Sequence, residues 1–336
     1  MSRALAPTLK AVLLLGAALL FAAASTSWGV AAERALKKAS LIPLWSPQAQ
    51  FAGYYTALDK GIYRQHGVDL TIISGGPNYP SSEYLREGKA DFALLWLTTA
   101  IQERADGVPL VNLAQIVQQS SMMLVAKKSS GISTPADMNG KKVGLWGGPF
   151  AIPPHTFFKQ HHLQVQEVPQ SYTVNLFLRG GIDVASAMWY NEYHTLLNSG
   201  LDADELSVFL LKEHGVNLPE DGLYALEETV RNDPALAEAF TRASLAGWEY
   251  AFAHPDEALD IVIKYMRAAK VPANRMHQKW MLERMRDLIT PQGNHKASGL
   301  LRQEDYEAAR QILHKDGNIP AAPDFNAFVW RFDARR

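Results

Sequence analysis

The sequence predicts an α/β protein of two lobes, joined by hinge crossovers and followed by a helical C-terminal part. The first observation is a strand, a polar and aromatic loop, a helix and a second strand over residues 39–73, with Gly61 ending the helix. The second is that a strand and a glycine-rich loop restart at residue 143. From Glu227 onward the pattern is helical. Repeated strand–helix units are typical of α/β lobes, and we expect a pocket between them.

Apolar runs bounded by glycine, proline and polar turns predict strands, and apolar residues three and four apart predict helices. The predicted strands are 39–44, 68–73, 90–96, 110–116, 120–126, 143–146, 165–168, 184–189, 206–211 and 221–225. The predicted helices include 81–88, 97–107, 152–161, 175–180, one from 190 to 200, and 302–316. The expected domains are a signal peptide at 1–32, a first lobe at 33–122 to which 215–336 returns, and a second lobe at 123–214.

Composition limits the classes of function. The chain has 336 residues, a net charge of -1 and no cysteine. The balanced charge gives no basic field for nucleic acid. Without cysteine there is no disulfide, thiol nucleophile, cysteine-based metal site or cysteine-linked lipid anchor. The 8 Trp and 12 Tyr can line a pocket for flat rings, although we expect most of them to belong to the core.

Residues 1–32 have the features of a secretory signal peptide. Arg3 and Lys10 make its start positive, residues 11–24 are an apolar stretch short for a bilayer, and small residues up to Ala32 offer a cleavage site. The alternative is an uncleaved membrane anchor. We expect the mature protein to be exported to the periplasm without lipidation.

Polar, aromatic and glycine residues collect at or just after the predicted carboxyl ends of strands. Ligands bind at that edge in open α/β sheets, and glycines allow a close backbone approach, although a plain turn explains them equally well. The candidate ligand-binding residues are Trp45, Gln48, Gln50, Tyr54, Gly76, Asn78, Trp96, Thr98, Trp146, Gly148, Trp189, Tyr190, Glu192 and Tyr224.

Glu192 is the candidate carboxylate with the clearest chemistry. It follows an apolar strand within Trp189–Tyr193 and stands at a predicted helix start. There it can accept a hydrogen bond from a ligand amine while neighbouring rings hold a flat ligand. The alternative is a glutamate favoured at that position by the helix dipole alone.

The sequence favours binding over catalysis. It has 10 His, but no H-E-x-x-H spacing and no readable three-ligand cluster, and it lacks a G-x-S-x-G elbow. Trp, Tyr, Gln, Asn and Glu on loops recognise a ligand, but they do not pair a nucleophile with a base. We therefore expect no catalytic residues, metal or cofactor.

Several motifs in order make the chain similar to a known family. They are W-S-P-Q-A-Q-F-A-G-Y-Y from Trp45, G-G-P from Gly75, A-D-F-A from Ala90, D-M-N-G-K-K-V-G-L-W-G-G from Asp137 and M-W-Y-N-E-Y from Met188. Over about residues 39–265 the sequence resembles the periplasmic substrate-binding proteins of ABC importers, and among them the binders of thiamine pyrimidine precursors. The fungal thiamine-pyrimidine synthase shares that fold.

The resemblance implies a type II periplasmic-binding-protein-like fold whose two lobes close on a flat heteroaromatic held between aromatic side chains. It also implies an ABC importer permease as partner. Glu192 matches the glutamate that would face a ring amine. The positions that match such families are Trp45, Gln50, Tyr54, Trp96, Trp146, Tyr190 and Glu192.

Other functions stay open at this point. Relatives of the fold bind riboflavin, alkanesulfonates, nitrate or other small solutes. A pyrimidine-forming enzyme would need a metal ligand set, and the cysteine-rich iron-site run of the synthases is absent. A sensory module would need a separate signalling partner.

Overall fold

The computed structural model describes residues 35–291, 293, 299–321 and 323–332. The predicted signal peptide, with its cleavage site, lies outside these residues. The unit that begins at Lys37 carries all the features below. Among the described residues, no helix has the length and apolar character that a membrane crossing needs.

Two five-stranded sheets form the framework. The first has the order β2-β1-β3-β10-β4, and the second has the order β7-β6-β8-β5-β9. The strands of the first sheet are β1 (Lys37–Ile42), β2 (Val68–Ile72), β3 (Phe92–Trp96), β4 (Leu110–Gln115) and β10 (Asp221–Leu226). Those of the second are β5 (Met122–Lys127), β6 (Lys142–Leu145), β7 (Gln166–Pro169), β8 (Val184–Met188) and β9 (Leu206–Leu210).

Each sheet is mixed and contains one strand that runs against its neighbours. In the first sheet β10 is antiparallel to both β3 and β4. In the second sheet β5 is antiparallel to both β8 and β9. The other pairings are parallel, as in the strand pair β1–β3. The five residues of β3 are all buried, which is typical of a strand covered on both faces.

Helices cover the sheets and make up most of the chain after β10. The helices in chain order are α1 (Ala52–Asp59), α2 (Ile62–Gln65), α3 (Ser81–Arg86), α4 (Leu97–Ala105), α5 (Ile152–Gln160), α6 (Asn175–Leu178), α7 (Glu192–Asn198), α8 (Glu227–Asn232), α9 (Pro234–Ala253), α10 (Pro255–Ala268), α11 (Arg275–Ile289), α12 (Gln303–Lys315) and α13 (Phe325–Phe328). This agrees with the predicted type II periplasmic-binding-protein-like class.

Helices α1 and α9 approach each other closely at two glycines. A Cβ on Gly247 would lie 2.2 Å from the carbonyl oxygen of Gly53, and a Cβ on Gly53 would lie 2.4 Å from the ring of Trp248. Trp248 is fully buried in the contact. Since real Cβ atoms do not come this near to other atoms, both positions require glycine, and the contact fixes α1 behind the loop that follows β1.

Several predicted boundaries differ from those of the structure by a few residues, and two of these differences affect the loops at the sheet edge. The first strand ends at Ile42 and not at 44, because Pro43 has no N–H with which to continue the ladder. The helix predicted from residue 190 begins at Glu192. Both shifts lengthen the loops at the sheet edge, so that Trp45 and Tyr190 lie in loops.

The chain passes between the sheets twice, at residues 116–121 and 211–220. Glu220 links these segments. Its Oε1 accepts from the backbone N–H of Ser121 at 2.6 Å, and its Oε2 accepts from the Ser121 hydroxyl at 2.8 Å. Burial raises the pKa of Glu220 to about 8, although the bonds from Ser121 act in the opposite direction. A buried carboxyl group therefore ties the two crossings together.

Candidate functional site

A cavity lies where the carboxyl ends of strands from both sheets meet. It has about 460 Å³ of empty volume and is open to solvent. Its lining residues are Leu44, Trp45, Gln48, Gln50, Trp96, Trp146, Phe150, Tyr172, Met188, Tyr190, Asn191 and Glu192.

Aromatic rings from the two sheets touch across the cavity. Trp45, which follows β1, meets Tyr172 edge to face, with ring centroids 4.6 Å apart and planes at 65°. Trp96, at the end of β3, meets Phe150 at 4.7 Å and 84°. These edge-to-face contacts stabilise the approach of the two sheets, and together with Trp146 they give the cavity aromatic walls.

A chain of hydrogen bonds organises the wall after β1. The Gln48 amide donates to Gln50 Oε1 at 2.6 Å, and the Gln50 amide donates to Asp221 Oδ2 at 2.8 Å. Burial raises the pKa of Asp221 to about 6, and the bond from Gln50 partly opposes this shift. Within the described part of the chain, Asp221 Oδ1 and the indole nitrogen of Trp96 are buried and make no hydrogen bond of normal geometry.

Glu192 brings a buried carboxyl group to the opposite wall. Its Oε2 accepts from the backbone N–H of Met188 at 2.9 Å, and its Oε1 accepts from the side-chain amide of Asn191 at 2.8 Å. Burial raises the pKa of Glu192 to about 7, against these hydrogen bonds. Glu192 is also the first residue of α7, so the helix-start role and the cavity position occur together.

The electrostatics of the cavity favour positive charge or N–H donors. Its lining has no lysine, arginine or histidine. Burial raises the pKa of the Tyr190 hydroxyl, and the carboxyl groups of Glu220, Asp221 and Glu192 raise it further. Three carboxyl groups thus lie close enough to this lining hydroxyl to raise its pKa, and each of them repels an anion when it is ionised.

Seven of the fourteen predicted residues line the cavity. They are Trp45, Gln48, Gln50, Trp96, Trp146, Tyr190 and Glu192. The other seven lie elsewhere: Tyr54, Gly76, Asn78, Thr98, Gly148, Trp189 and Tyr224.

Side-chain direction explains several of these displacements. Trp189 and Tyr190 lie in a turn directly after β8, and in this turn Tyr190 lines the cavity while Trp189 does not. Its ring packs instead under the guanidinium of Arg284, at 4.9 Å. Tyr224, on the strand β10, points into the core, where its ring lies 6.0 Å from that of Phe328.

Two more of the predicted residues pack between helices and do not line the cavity. Tyr54 is on α1, where it is buried against Trp248 at 5.7 Å. Thr98 is in the first turn of α4 and is 1% exposed. Both side chains therefore belong to the packing behind the cavity wall.

The glycine-rich loop after β2 contacts protein and not the cavity. A Cβ on Gly75 would lie 2.4 Å from the carbonyl oxygen of Trp45, so the glycine permits this loop to pack on the Trp45 backbone. Gly76 has φ of 144°, and Asn78 is exposed in the same turn. Gly148, with φ of 65°, is exposed in the loop after β6. The Gly75–Asn78 loop supports the Trp45 wall from behind.

Five lining residues escaped sequence reasoning: Leu44, Phe150, Tyr172, Met188 and Asn191. Asn191 is next to Glu192, and Phe150 follows the loop after β6. Both residues therefore lie near strand ends, where the sequence predicts ligand-binding residues. Tyr172 follows β7, a short and largely exposed strand, and the weak apolar pattern of this strand does not indicate a ligand site at its end.

The fold and the cavity define a class: a type II periplasmic-binding-protein fold with a small-molecule cavity between two sheets. The chain belongs to the NMT1/THI5-like family, whose model matches residues 48–258. Among curated relatives, the riboflavin-binding protein RibY of Chloroflexus aurantiacus is 25% identical over 255 residues, covering 71% of this chain and 70% of that protein. The formylaminopyrimidine-binding protein of Halalkalibacterium halodurans is 26% identical over 267 residues, covering 76% and 78%.

Solved structures of similar fold include the periplasmic aliphatic sulphonate binding protein SsuA from Escherichia coli. The TM-score is 0.66 at 15% identity, with 89% of this chain and 94% of that chain covered. At this identity the likeness concerns the fold alone. The chain is thus built as a small-solute-binding protein of its family, and the fold does not select the solute.

Proposed function

We propose that this protein is the periplasmic solute-binding component of an ABC importer and takes up a flat heteroaromatic of the thiamine-pyrimidine-precursor class. One observation carries the proposal: an aromatic-walled cavity at the strand ends of both sheets holds the buried carboxyl group of Glu192. Rings bind a flat ligand between them, and a carboxylate accepts from a ring amine. The formylaminopyrimidine-binding relative supports this class.

The charge of the cavity argues for a neutral or cationic ligand. The lining has no basic side chain to pair with a sulfonate, nitrate or phosphate. Helix α5 begins near Phe150, but Pro153 and Pro154 occupy its first turn and carry no N–H. A helix start with these donors missing is a poor anion site. An unphosphorylated aminopyrimidine meets all of these conditions.

The two chain crossings supply the hinge of the proposed mechanism. We infer that residues 116–121 and 211–220 bend while a first lobe, 33–122 with 215–336, closes on a second lobe, 123–214. Ligand contacts with both walls stabilise the closed form, and the membrane permease reads that form. No step requires a metal or a covalent intermediate.

A ligand panel tests the function directly. The thermal midpoint and calorimetric affinity of the mature protein are measured with 4-amino-5-hydroxymethyl-2-methylpyrimidine, riboflavin and the sulfonate buffer MOPS. We expect the pyrimidine to raise the midpoint, since a ligand at 100 times its Kd stabilises the fold by about 2.7 kcal/mol. A shift with MOPS alone would overturn the charge argument, and no shift with any of them would overturn the transport proposal.

Riboflavin is the second candidate. The riboflavin-binding relative is 25% identical, against 26% for the pyrimidine binder, so identity does not separate the two. The isoalloxazine ring is flat and uncharged and fits aromatic walls equally well. Stronger binding of riboflavin than of the pyrimidine in the same panel would reassign the ligand while retaining the transport function.

A further inference from the structure

Two glutamines and a buried aspartate form a chain of hydrogen bonds at the wall after β1, the Gln48–Gln50–Asp221 relay. Gln48 Nε2 donates to Gln50 Oε1 at 2.6 Å, and Gln50 Nε2 donates to Asp221 Oδ2 at 2.8 Å. Both glutamines line the cavity, whereas Asp221 is the first residue of β10 and does not line it. Asp221 therefore acts on a bound ligand through the two amides.

The backbone that carries both glutamines is fixed from α11. Gln278 Oε1 accepts from the N–H of Ala49, the residue between the two glutamines, at 2.7 Å. Met281 Sδ accepts from the N–H of Gln50 at 3.2 Å. Ala49–Phe51 form a short 3-10 helix whose residues are all buried. With the backbone fixed in this way, the side-chain hydrogen bonds decide where each amide places its oxygen and its nitrogen.

The polarity of the relay begins at Asp221. Its pKa of about 6 leaves the carboxyl group ionised at pH 7.5, and a carboxylate only accepts, so Gln50 turns its nitrogen toward Asp221 and its oxygen toward Gln48. An amide oxygen also only accepts, so Gln48 turns its nitrogen toward Gln50. The Gln48 oxygen is then the end of the amide remote from Gln50, and it has no hydrogen-bond partner among the described residues.

A second N–H group approaches Asp221 from β3. Burial raises the pKa of Asp221, Gln50 opposes this shift most, and the indole of Trp96, its partner across β3 and β10, opposes it further. The indole contact lacks the geometry of a normal hydrogen bond, but an indole nitrogen only donates. Both side chains that approach Asp221 thus bring donors, which suits a carboxylate with two accepting oxygens.

We propose that Asp221 is a positioning residue that sets the specificity of the cavity. Through Gln50 it holds the Gln48 oxygen available to the ligand, so the ligand must carry an N–H or O–H donor at the wall after β1. With Glu192 on the opposite wall, the preferred ligand is a flat ring with one donor for each wall. This inference rests on the proposed function and narrows its ligand class.

A ligand that offers only an acceptor to Gln48 brings two oxygens together. Both oxygens then lose hydrogen bonds to water and gain none, and a site built to pair with an O–H group rejects the analogue without it for this reason. The compound 4-amino-5-hydroxymethyl-2-methylpyrimidine has an amine for Glu192 and a hydroxyl for Gln48. Its analogue 4-amino-2-methylpyrimidine-5-carbaldehyde keeps the amine, but its carbonyl oxygen only accepts. The two compounds differ by two hydrogen atoms.

The ratio of the two affinities measures the polarity of the relay. In calorimetry at pH 8 we expect the aldehyde to bind the parent about tenfold more weakly than the hydroxymethyl compound, the fold-change that corresponds to one hydrogen bond of about 1.4 kcal/mol. Asp221→Asn keeps the size of the side chain. Since Trp96 cannot accept and Gln50 can, the new amide gives its oxygen to the indole and its N–H to Gln50, and the relay reverses. Gln48 then presents nitrogen, and because a hydroxyl accepts as well as donates, the ratio should fall to within about threefold of one.

A second variant and a control separate this effect from a general structural defect. Asp221→Leu offers Gln50 neither donor nor acceptor, so the amides lose their fixed polarity and the ratio should fall in the same way. The control is Asp91→Leu, which removes a partly buried carboxyl group that accepts from the N–H and the hydroxyl of Ser40 and is not part of the lining. It should keep the tenfold ratio, because a structural defect changes both affinities alike.

Neutron diffraction of the ligand-free parent tests the relay without any ligand. Deuterium atoms distinguish an amide nitrogen from its oxygen, which X-ray maps at ordinary resolution do not. At pD 7.5 we expect deuterium on the Gln50 atom beside Asp221 and on the Gln48 atom beside Gln50. The opposite orientation of either amide overturns the orienting role of Asp221.

The remaining outcomes decide the specificity. An aldehyde that binds the parent as tightly as the hydroxymethyl compound overturns the requirement for a donor. A ratio that stays near tenfold in either Asp221 variant overturns the role of Asp221 in that requirement. If the parent binds neither compound, the ligand class of the proposed function fails and the donor requirement fails with it, while the neutron map still decides whether Asp221 orients the two glutamines.

Discussion

At the scale of the residue, three buried carboxyl groups lie in or near the cavity and bear on the proposed choice of ligand. Glu192 lines it directly, Asp221 is held by Gln50, and Glu220 joins the chain crossings. Burial raises the pKa of each, and in none of them does a basic side chain oppose the shift. A ligand that donates N–H groups stabilises the ionised form of such a group, which supports an amine as the proposed ligand.

Glu192→Gln tests the role of the first carboxyl group. We expect an amine-bearing pyrimidine to bind about 1.5–3 kcal/mol more weakly, because a charge-assisted hydrogen bond becomes a neutral one. Isothermal titration at pH 8, above the pKa of about 7, measures the change with the parent carboxyl group ionised.

The control is Glu167→Gln, which removes an exposed carboxylate on β7 that is not part of the lining. Equal affinity for the parent and Glu192→Gln would leave the helix-start role as the only one for this residue.

Glu220→Gln tests whether burial of the carboxyl group costs stability at high pH. Its pKa of about 8 lies above the ordinary value of about 4.3, so the folded protein holds a proton that the unfolded chain has released. Unfolding free energy should therefore fall as pH rises from about 4.3 to 8, by up to about 1.4 kcal/mol per pH unit.

The measurement is urea denaturation of parent and variant at pH 5, 6, 7 and 8. The difference in unfolding free energy between Glu220→Gln and the parent should change in favour of the variant as pH rises, because glutamine does not ionise. A pH-independent difference would show that Glu220 does not titrate in this window.

At the scale of the element, contacts with helices hold the wall after β1 in position. Helix α1 is pressed against α9 through Gly53 and Gly247, and α11 holds the segment before Gln50 through Gln278. The wall after β1 is thus fixed from behind by helices that come two hundred residues later in the chain. Its rigidity is a property of the C-terminal helices.

Gly247→Ala tests the contact between α1 and α9. In an exposed helix this change stabilises a protein by about 1 kcal/mol. Here the added methyl group would lie 2.2 Å from the Gly53 carbonyl oxygen, so the helices must separate, and we expect a loss of about 1–3 kcal/mol.

Thermal or urea unfolding shows the sign of the change. Glu249→Ala on the same helix is the control, because Glu249 is exposed. A more stable Gly247→Ala protein would mean that the two helices are free to move apart.

At the scale of the whole molecule, the order of strands and helices can be predicted from the sequence, because each strand is an apolar run bounded by turns. Part of the cavity lining can be predicted for the same reason, because Trp45, Trp96 and Trp146 end or follow strands and the ends of the strands converge. The sequence does not predict the direction of a single side chain, which distinguishes Tyr190 in the lining from Trp189 outside it. It also does not predict contacts between distant segments, such as that of His277 with Asn191.

The edge-to-face contact between Trp45 and Tyr172 has a spectroscopic consequence. Three of the 8 tryptophans line the cavity, and Tyr172, 55% exposed, touches one of them across it. In the proposed open form the Trp45 indole enters a more aqueous environment and its emission shifts to the red, and a stacked ligand of the proposed class is expected to quench it. For the proposed closure and ligand, the colour of the Trp45 emission is therefore expected to follow closure and its intensity to follow occupancy.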